Sequence, residues 1–438
     1  MYDNLPNKKL FSKTVDLRTH VCYDDFSLSD RNNTFFDIVI MILGRNGCMS
    51  KVIVIGAGAS GMLAAIYASA HNEVILLEKN DKTCKKILVS GNGKCNYFNS
   101  DQNISHYHNY FLKDIIDNNT NEILEFFGKI GIVPKIKNGY YYPYSESAAS
   151  IKEALITESR LCGVNIVTDY TVTKIEKKDV FIINDELKAD KVILACGSLA
   201  SKFGTDLGYE IAKSFGHKIN NVLPALTGLK SDEKFLKDWN GVRGSTKVSL
   251  YINDEFIKEE EGEVQFTDYG VSGICVFNLS YLVSLNQGKN IKLKINFMPF
   301  TDNVLEFLEK RCEVVTGRTI IEFLEGIIHY KLIKIILNNA GINGLKYYDE
   351  LSKKEKYKLC EAISEMKINI IGTNSFDKSQ VCTGGVDINE IDMNTMESKL
   401  IKDLYITGEL LDVDGDCGGY NLSFAFISGM LGGKATND

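Results

Sequence analysis

The architecture follows from one segment, KVIVIGAGASGMLAAIYASAHNEVILLEK, running from Lys51 to Lys79. Its first five residues are an almost unbroken apolar run, the mark of a strand buried on both faces. ASGMLAAIYASAH then places apolar residues at helical spacing, with small residues that permit close packing, and NEVILLEKN reads as a second buried strand. Between strand and helix stands G-x-G-x-x-G, Gly56-Ala57-Gly58-Ala59-Ser60-Gly61. The string is informative because it follows a strand and opens a helix. Gly56 permits the tight turn, Gly58 lets backbone approach a pyrophosphate, and Gly61 lets helix and strand pack. Unpaired N–H groups at the helix start, around Ala59 and Ser60, favour negative charge. Glu78, 17 residues past Gly61, ends the second strand. There a carboxylate accepts hydrogen bonds from ribose hydroxyls and repels a 2′-phosphate.

Working outward, the 438 residues suggest two or three domains. With 44% apolar residues the chain can bury ordinary cores, and a net charge of −7 without a basic stripe disfavours nucleic acid as a partner. Eleven cysteines without a C-x-x-C pair disfavour zinc and a dithiol relay, and suit a reducing cytoplasm. No metal site is expected. The run FFDIVIMIL, Phe35 to Leu43, contains Asp37 and is too short to span a bilayer. Residues 1–48 lack sustained periodicity and read as a loosely ordered extension.

Further along, EILEFFGKIGI, SIKEALITESRLCGV and GYEIAKSFGHKI read as helices, and NIVTDYTVTKIEKKDVFIINDELKADKVILACG as short strands ending in a buried one. Around Pro224 the character changes: TKVSLYINDEF and IKLKINFMP read as antiparallel strands, and 301–370 as mostly helical. Strands resume at QVCTGGVDI and LYITGELL. The expected fold is α/β. A Rossmann-like domain (49–224 and 376–438) is interrupted by an inserted β-rich domain with a helical subdomain (225–375), where substrate or a partner surface is expected.

KKILVSGNGKCNYFNS adds a second polar loop, with Ser90, Gly91, Gly93, Lys94 and Asn96 suited to fold over a pyrophosphate or a flavin edge. Four blocks then resemble the BaiN-like (YhiN-like) NAD(P)/FAD-dependent oxidoreductases, also called aminoacetone-oxidase-type flavoproteins. They are VIVIGAGASGMLAA, KKILVSGNGKCN, FTDYGVSG, and the block from GGVDINEIDMNTMESK through GELLDVDGDCGGYNLSFAFISG; the resemblance covers about residues 50–435. It implies an FAD-binding Rossmann-like domain with a β-rich insert. This chain departs from the family with Lys94 for Arg, Asp268 for His, Ile274 for Pro and Tyr140 for a common Arg. Arg and Lys are not equivalent at a bidentate site.

GELLDVDGDCGGYNLSFAFISG, Gly408 to Gly429, allows a test between calcium and flavin. An EF-hand loop from Asp412 fits Asp414 and Asp416 but then needs Gly and Glu where the chain has Cys417 and Ser423. The flavin reading places Gly408 and Glu409 at a strand end, with Glu409 toward the ribityl hydroxyls as the resemblance implies. Gly418, Gly419, Tyr420, Asn421 and Leu422 open a helix whose N–H groups favour the negative charge of a reduced ring. The three aspartates are expected to anchor the turn. Ala195, Cys196 and Gly197 resemble the small-residue turn that passes near the cofactor in two-part flavoproteins, with Cys196 expected to be a packing residue. The resemblance places the adenine at the Val172 backbone, and adds Lys79, Lys86 and Cys95 to the cofactor contacts.

The expected activity is that of an FAD-dependent oxidoreductase taking electrons from NAD(P)H, a transient reductant with no glycine fingerprint of its own, and reducing a small organic substrate. An oxygen-dependent amine oxidase and a non-catalytic flavin-binding regulatory protein are the alternatives. Tyr140 to Tyr142 and Asp268 are candidate pocket residues. Oligomeric state and substrate identity have no sequence signal.

Overall fold

A computed structural model describes residues 49–108 and 112–438. The N-terminal stretch 1–48, including Phe35–Leu43, lies outside the described residues. Strand β1 (Lys51–Ile55) leads into helix α1 (Ala59–Ala68) and back into β2 (Glu73–Leu77). β3 (Asn165–Val167) follows on the far side of β2, and β4 (Lys191–Leu194) on the far side of β1. The chain next builds a second sheet, whose main strands are β5 (Arg243–Ile252), β6 (Glu255–Thr267), β7 (Ile291–Asn296) and β8 (Met366–Ile370). Helix α2 (Ile274–Leu285) packs on that sheet. The chain returns with β9 (Leu404–Ile406) and ends in α3 (Tyr420–Ala435).

The first sheet runs β9-β4-β1-β2-β3, all parallel, with two short antiparallel strands beyond β9. Its central strands are covered on both faces and so need apolar side chains on both sides; Val52, Ile53 and Val54 are fully buried. The chain leaves β1 toward β2 on one side and later crosses to β4 on the other. That reversal opens a crevice at the carboxyl ends of β1 and β4, where doubly wound sheets bind ligands.

Two stripes of small residues seat the last helix against the first. A Cβ on Gly429 would fall 2.2 Å from Ser60 O, and one on Gly433 2.4 Å from Ala64 O. Spaced four apart, these positions share one helix face, and their missing side chains let the backbones touch. Residues more than 360 positions apart thus form one wall of the crevice.

The second sheet is antiparallel and packs its own core around Trp239, Phe266 and Leu293, all fully buried. Between the two cores the chain passes out and back through paired strands Leu223–Ala225 and Val381–Thr383. Among the described residues no helix is long and apolar enough to cross a membrane.

Candidate functional site

The crevice opens into a cleft of about 810 Å³, a size usual for small-molecule and cofactor sites. The three fingerprint glycines take distinct positions. Gly56 adopts φ +102°, and a Cβ there would lie 2.5 Å from Ala195 O, so β1 and the turn after β4 meet backbone to backbone. Gly58 caps α1, and a Cβ there would meet nothing within 4 Å. Its open side belongs to the cleft, beside Ala59 and Ser60. Gly61 faces inward: a Cβ there would fall 1.8 Å from Gly56 O. The first α1 N–H to bond back along the helix is Met62's, to Gly58 O at 3.0 Å, so those before it stand outside the ladder.

Glu78 and Lys79 line the same end. Glu78 is partly committed: Ala57 N–H donates to Oε2 at 2.9 Å, and Asn80 N–H to Oε1 at 2.9 Å. A carboxylate accepts about four bonds, so capacity remains toward the cleft. Lys79 Nζ donates to Gly204 O at 3.3 Å. Val172 lines the same end, in a loop rather than a strand. Ala195, Cys196 and Gly197 form the facing wall. Burial pushes the Cys196 thiol up to about 12, which keeps it protonated and suits the packing role.

At the other end the two glycine-rich loops meet. Ser90, Gly91 and Asn96 line the cleft, and Asn96 Oδ1 is buried without a partner among the described residues. Gly93, Lys94 and Cys95 do not line it. Lys94 Nζ reaches outward to Glu146 Oε1 at 3.1 Å, and Cys95 is fully buried, its thiol pushed up by desolvation to about 11. Left-handed Gly91 and Asn92, both at φ +54°, turn that stretch away. Gly418, Gly419, Asn421 and Leu422 line the cleft opposite. The first α3 N–H bonded back along the helix is Ser423's, to Gly419 O at 2.9 Å. Tyr420 turns away, stacking on His106 with centroids 4.5 Å apart. Helix geometry sends consecutive side chains about 100° apart, so one residue of such a run leaves the cleft.

Gly408, Glu409 and Lys86 also line the cleft, and Glu409, like Glu78, is partly committed. It accepts from Lys86 Nζ at 2.5 Å, Ser198 Oγ at 2.6 Å and Cys382 N–H at 3.2 Å. Of the candidate pocket residues, Tyr140 and Tyr142 line the cleft; Tyr141 and Asp268 do not. The insert contributes Arg243, Gln265 and Phe277, positions without a readable motif in the sequence, and Ile274, which departs from the family pattern.

The aspartates of the last loop hold the turn. Asp412 accepts from Asn220 Nδ2 at 2.8 Å and Gly384 N–H at 3.0 Å. Asp414 pairs with His108 Nδ1 at 2.7 Å, and Asp416 with His106 Nδ1 at 3.1 Å. Both pairs follow from one antiparallel bridge between Tyr107 and Gly415, which sets 106 against 416 and 108 against 414. The histidines escaped the sequence reading. Their signal is the alternate spacing shared by His106-x-His108 and Asp414-x-Asp416. Among the described residues no three metal-type side chains gather at one point.

The family description "HI0933-like protein Rossmann domain" matches residues 50–435. The chain belongs to this family. It is the BaiN/YhiN family of FAD-binding oxidoreductases anticipated above. Over 404 residues the chain is 39% identical to a 3-dehydro-bile acid delta(4,6)-reductase of Clostridium scindens, covering 88% of this chain and 99% of that one. It is 28% identical over 399 residues to a ribosomal RNA dihydrouridine synthase of Haemophilus influenzae, covering 86% and 96%. A solved 3-ketosteroid-delta4-(5alpha)-dehydrogenase of Rhodococcus jostii RHA1 superposes with a TM-score of 0.45 at 13% identity, covering 89% and 97%. That score adds nothing to what the sheet order already establishes. For this HI0933-like chain, the open face of Gly58, the unpartnered Asn96 oxygen and the two helix starts fit an extended dinucleotide.

Proposed function

We propose that the chain is an FAD-dependent reductase that takes electrons from NAD(P)H and saturates a carbon–carbon double bond conjugated with a carbonyl on a small organic substrate. One observation carries it: a single cleft runs from the phosphate-type turn at Gly58, past the meeting glycine loops, to side chains of the insert such as Arg243 and Phe277. The names of the two curated relatives support the reaction class. A 3-dehydro steroid with delta(4,6) unsaturation is a conjugated ketone, and dihydrouridine is uridine with two hydrogens added to a ring double bond conjugated with a carbonyl.

In this reading Gly58, Ala59 and Ser60 take the diphosphate at the start of α1, and Glu78 and the Val172 loop take the adenosine. Ser90, Gly91, Asn96, Gly418, Gly419 and Leu422 take the ring. Glu409 acts through Lys86 and Ser198 as a brace. Bound FAD supplies two-electron chemistry; the protein supplies position, charge and exclusion of water. The division into 49–224, 225–375 and 376–438 is part of the proposal, on the strength of the two separate cores. A cytoplasmic setting is supported by the free thiols of the described residues.

A small molecule is preferred to RNA because the insert's end of the cleft is electrically mixed, with Arg243 beside Glu263 and Lys378 beside Asp377. The test is anaerobic titration of the FAD-loaded protein with NADH and NADPH. The reduced protein is then mixed with oxygen, a conjugated 3-keto steroid, small amines or ribosomal RNA. Bleaching by a nicotinamide and reoxidation by the steroid are expected. Absence of bleaching refutes the NAD(P)H link, peroxide release with amines selects the oxidase, and reoxidation by RNA alone selects the nucleic-acid substrate.

A further inference from the structure

Saturating a conjugated double bond adds a hydride to one carbon and a proton to the other. The proton needs a donor at the ring end of the cleft. The short strand Tyr140–Pro143 crosses there. Strand alternation places Tyr140 and Tyr142 on one face and Tyr141 on the other. Tyr141 packs inward, edge-on to Phe98 at 5.5 Å. Tyr140 lies against one glycine loop, its Cε1 3.0 Å from where a Gly418 Cβ would be, and Tyr142 against the other, its Cε1 3.6 Å from a Gly91 Cβ. Both line the cleft and are half-buried. Among the described residues no hydrogen bond engages either hydroxyl.

Several other acids of the cleft are committed or unsuited. Glu78 and Glu409 are held by the bonds described above, and Asp377 accepts from Ser375 Oγ. Arg243 is tied to Glu263 and Gln265, and a guanidinium does not give up a proton. The Cys417 thiol is pushed by burial to about 11, and its Sγ lies 4.0 Å from Gln380 Oε1. Lys378 Nζ sits over the Tyr269 ring at 5.9 Å.

We propose, resting on the reductase reading, that Tyr140 delivers the proton to the substrate carbon next to the carbonyl, with the Tyr142 hydroxyl beside it. In the reading proposed above, a dihydronicotinamide would supply the electron pair and hydride, and FAD, when bound, would pass them to the far carbon. The Tyr140 O–H bond breaks, a C–H bond forms, and the phenolate regains its proton from water at the cleft mouth. Atoms and charge then balance: one hydride and one proton added across the double bond. Burial, then the neighbouring Cys417 and Asp416, hold the Tyr140 phenol above its ordinary range, so it remains a donor through neutral pH.

The test uses FAD-loaded protein reduced anaerobically with dithionite and mixed with a 3-oxo-4-ene bile acid or 2-cyclohexenone. Tyr140→Phe is expected to slow reoxidation by about 100-fold, the range of a lost general acid, with FAD content unchanged. Calorimetric binding of the saturated 3-ketone, which cannot react, should stay within about threefold of the parent, because the phenol faces a carbon and not the carbonyl oxygen. In D2O the parent should deuterate one face of the carbon beside the carbonyl, and the variant both faces. Tyr144→Phe, on an exposed neighbour, controls for disturbance of the hairpin. If Tyr140→Phe reoxidises within threefold of the parent, or deuterates one face as the parent does, the assignment is overturned, and Lys378→Met becomes the variant to compare. If the parent itself passes no electrons to either enone, the reductase reading fails and this inference falls with it.

Discussion

His108 links three parts of the molecule, and its removal should leave a measurable trace in how stability depends on pH. Its ring donates toward Asp414 Oδ2 at 2.7 Å, lies 3.7 Å from Asp416 Oδ1, and stacks on Tyr281 of α2 with centroids 3.5 Å apart. Lys258 of β6 approaches the same Asp416 oxygen at 3.6 Å and pairs with Glu260 at 2.8 Å. Burial by itself lowers the His108 pKa, but the Asp414 hydrogen bond and the charges of Asp414 and Asp416 overcome it and raise the value from 6.5 to about 9. That displacement corresponds to about 3 kcal/mol. The same attraction holds the Asp416 carboxyl below its usual range against desolvation, so it is counted once. Because the folded value is raised, the stabilisation is complete below pH 6.5 and is lost as pH climbs through 9. With an unfolding entropy of about 2.1 cal/mol/K per residue over the roughly 390 described residues, 3 kcal/mol is about 4 °C in Tm. His108→Gln keeps a polar side chain without the charge. Calorimetric melting from pH 6 to 9.5 should show the variant about 4 °C below the parent at pH 6.5, with the two curves converging by pH 9.5. Parallel curves separated by a constant offset would refute the charged pairing.

Other substitutions separate the roles of the fingerprint and its surroundings. Gly58→Ala meets open space at a φ of −87°. The apo-protein should keep its Tm, while FAD affinity measured by fluorescence falls about 10- to 100-fold, the loss of one charged contact. Gly61→Ala, with its Cβ 1.8 Å from Gly56 O, should cost about 3 kcal/mol or more, seen in melting of the apo-protein before any cofactor is added. Lys86→Met strips the counter-charge from Glu409, whose side chain is 18% exposed. A loss of about 1–3 kcal/mol in urea unfolding is expected, and Glu409→Gln in the same chain should restore most of it, a coupling readable from the double-mutant cycle.

The features legible in the linear chain are those governed by neighbours. The apolar run of β1, the glycine turn and the small-residue helix are local, because a strand buried on both faces and a helix start impose their residue types within a few positions. The same holds for the antiparallel patterns of the insert, and the long resemblance brought the cofactor class. Which groups face the cleft is a different matter. Lys94 and Tyr420 have the right neighbours in sequence and point elsewhere, because a left-handed backbone at Gly91 and Asn92 and the helical sweep after Gly419 set their directions. Glu409 looks like a free acceptor in sequence, but a short helix, a loop and a strand from three distant regions bring Lys86, Ser198 and the Cys382 N–H onto it. His106 and His108 acquire partners only through a bridge across 308 positions. The periodicity of the chain thus determined its elements and its turn, whereas tertiary pairing decided which charges are spent on structure and which phenols line the cleft without a partner among the described residues. Periodicity is a property of adjacent residues, and the availability of a polar group depends on everything that packs against it.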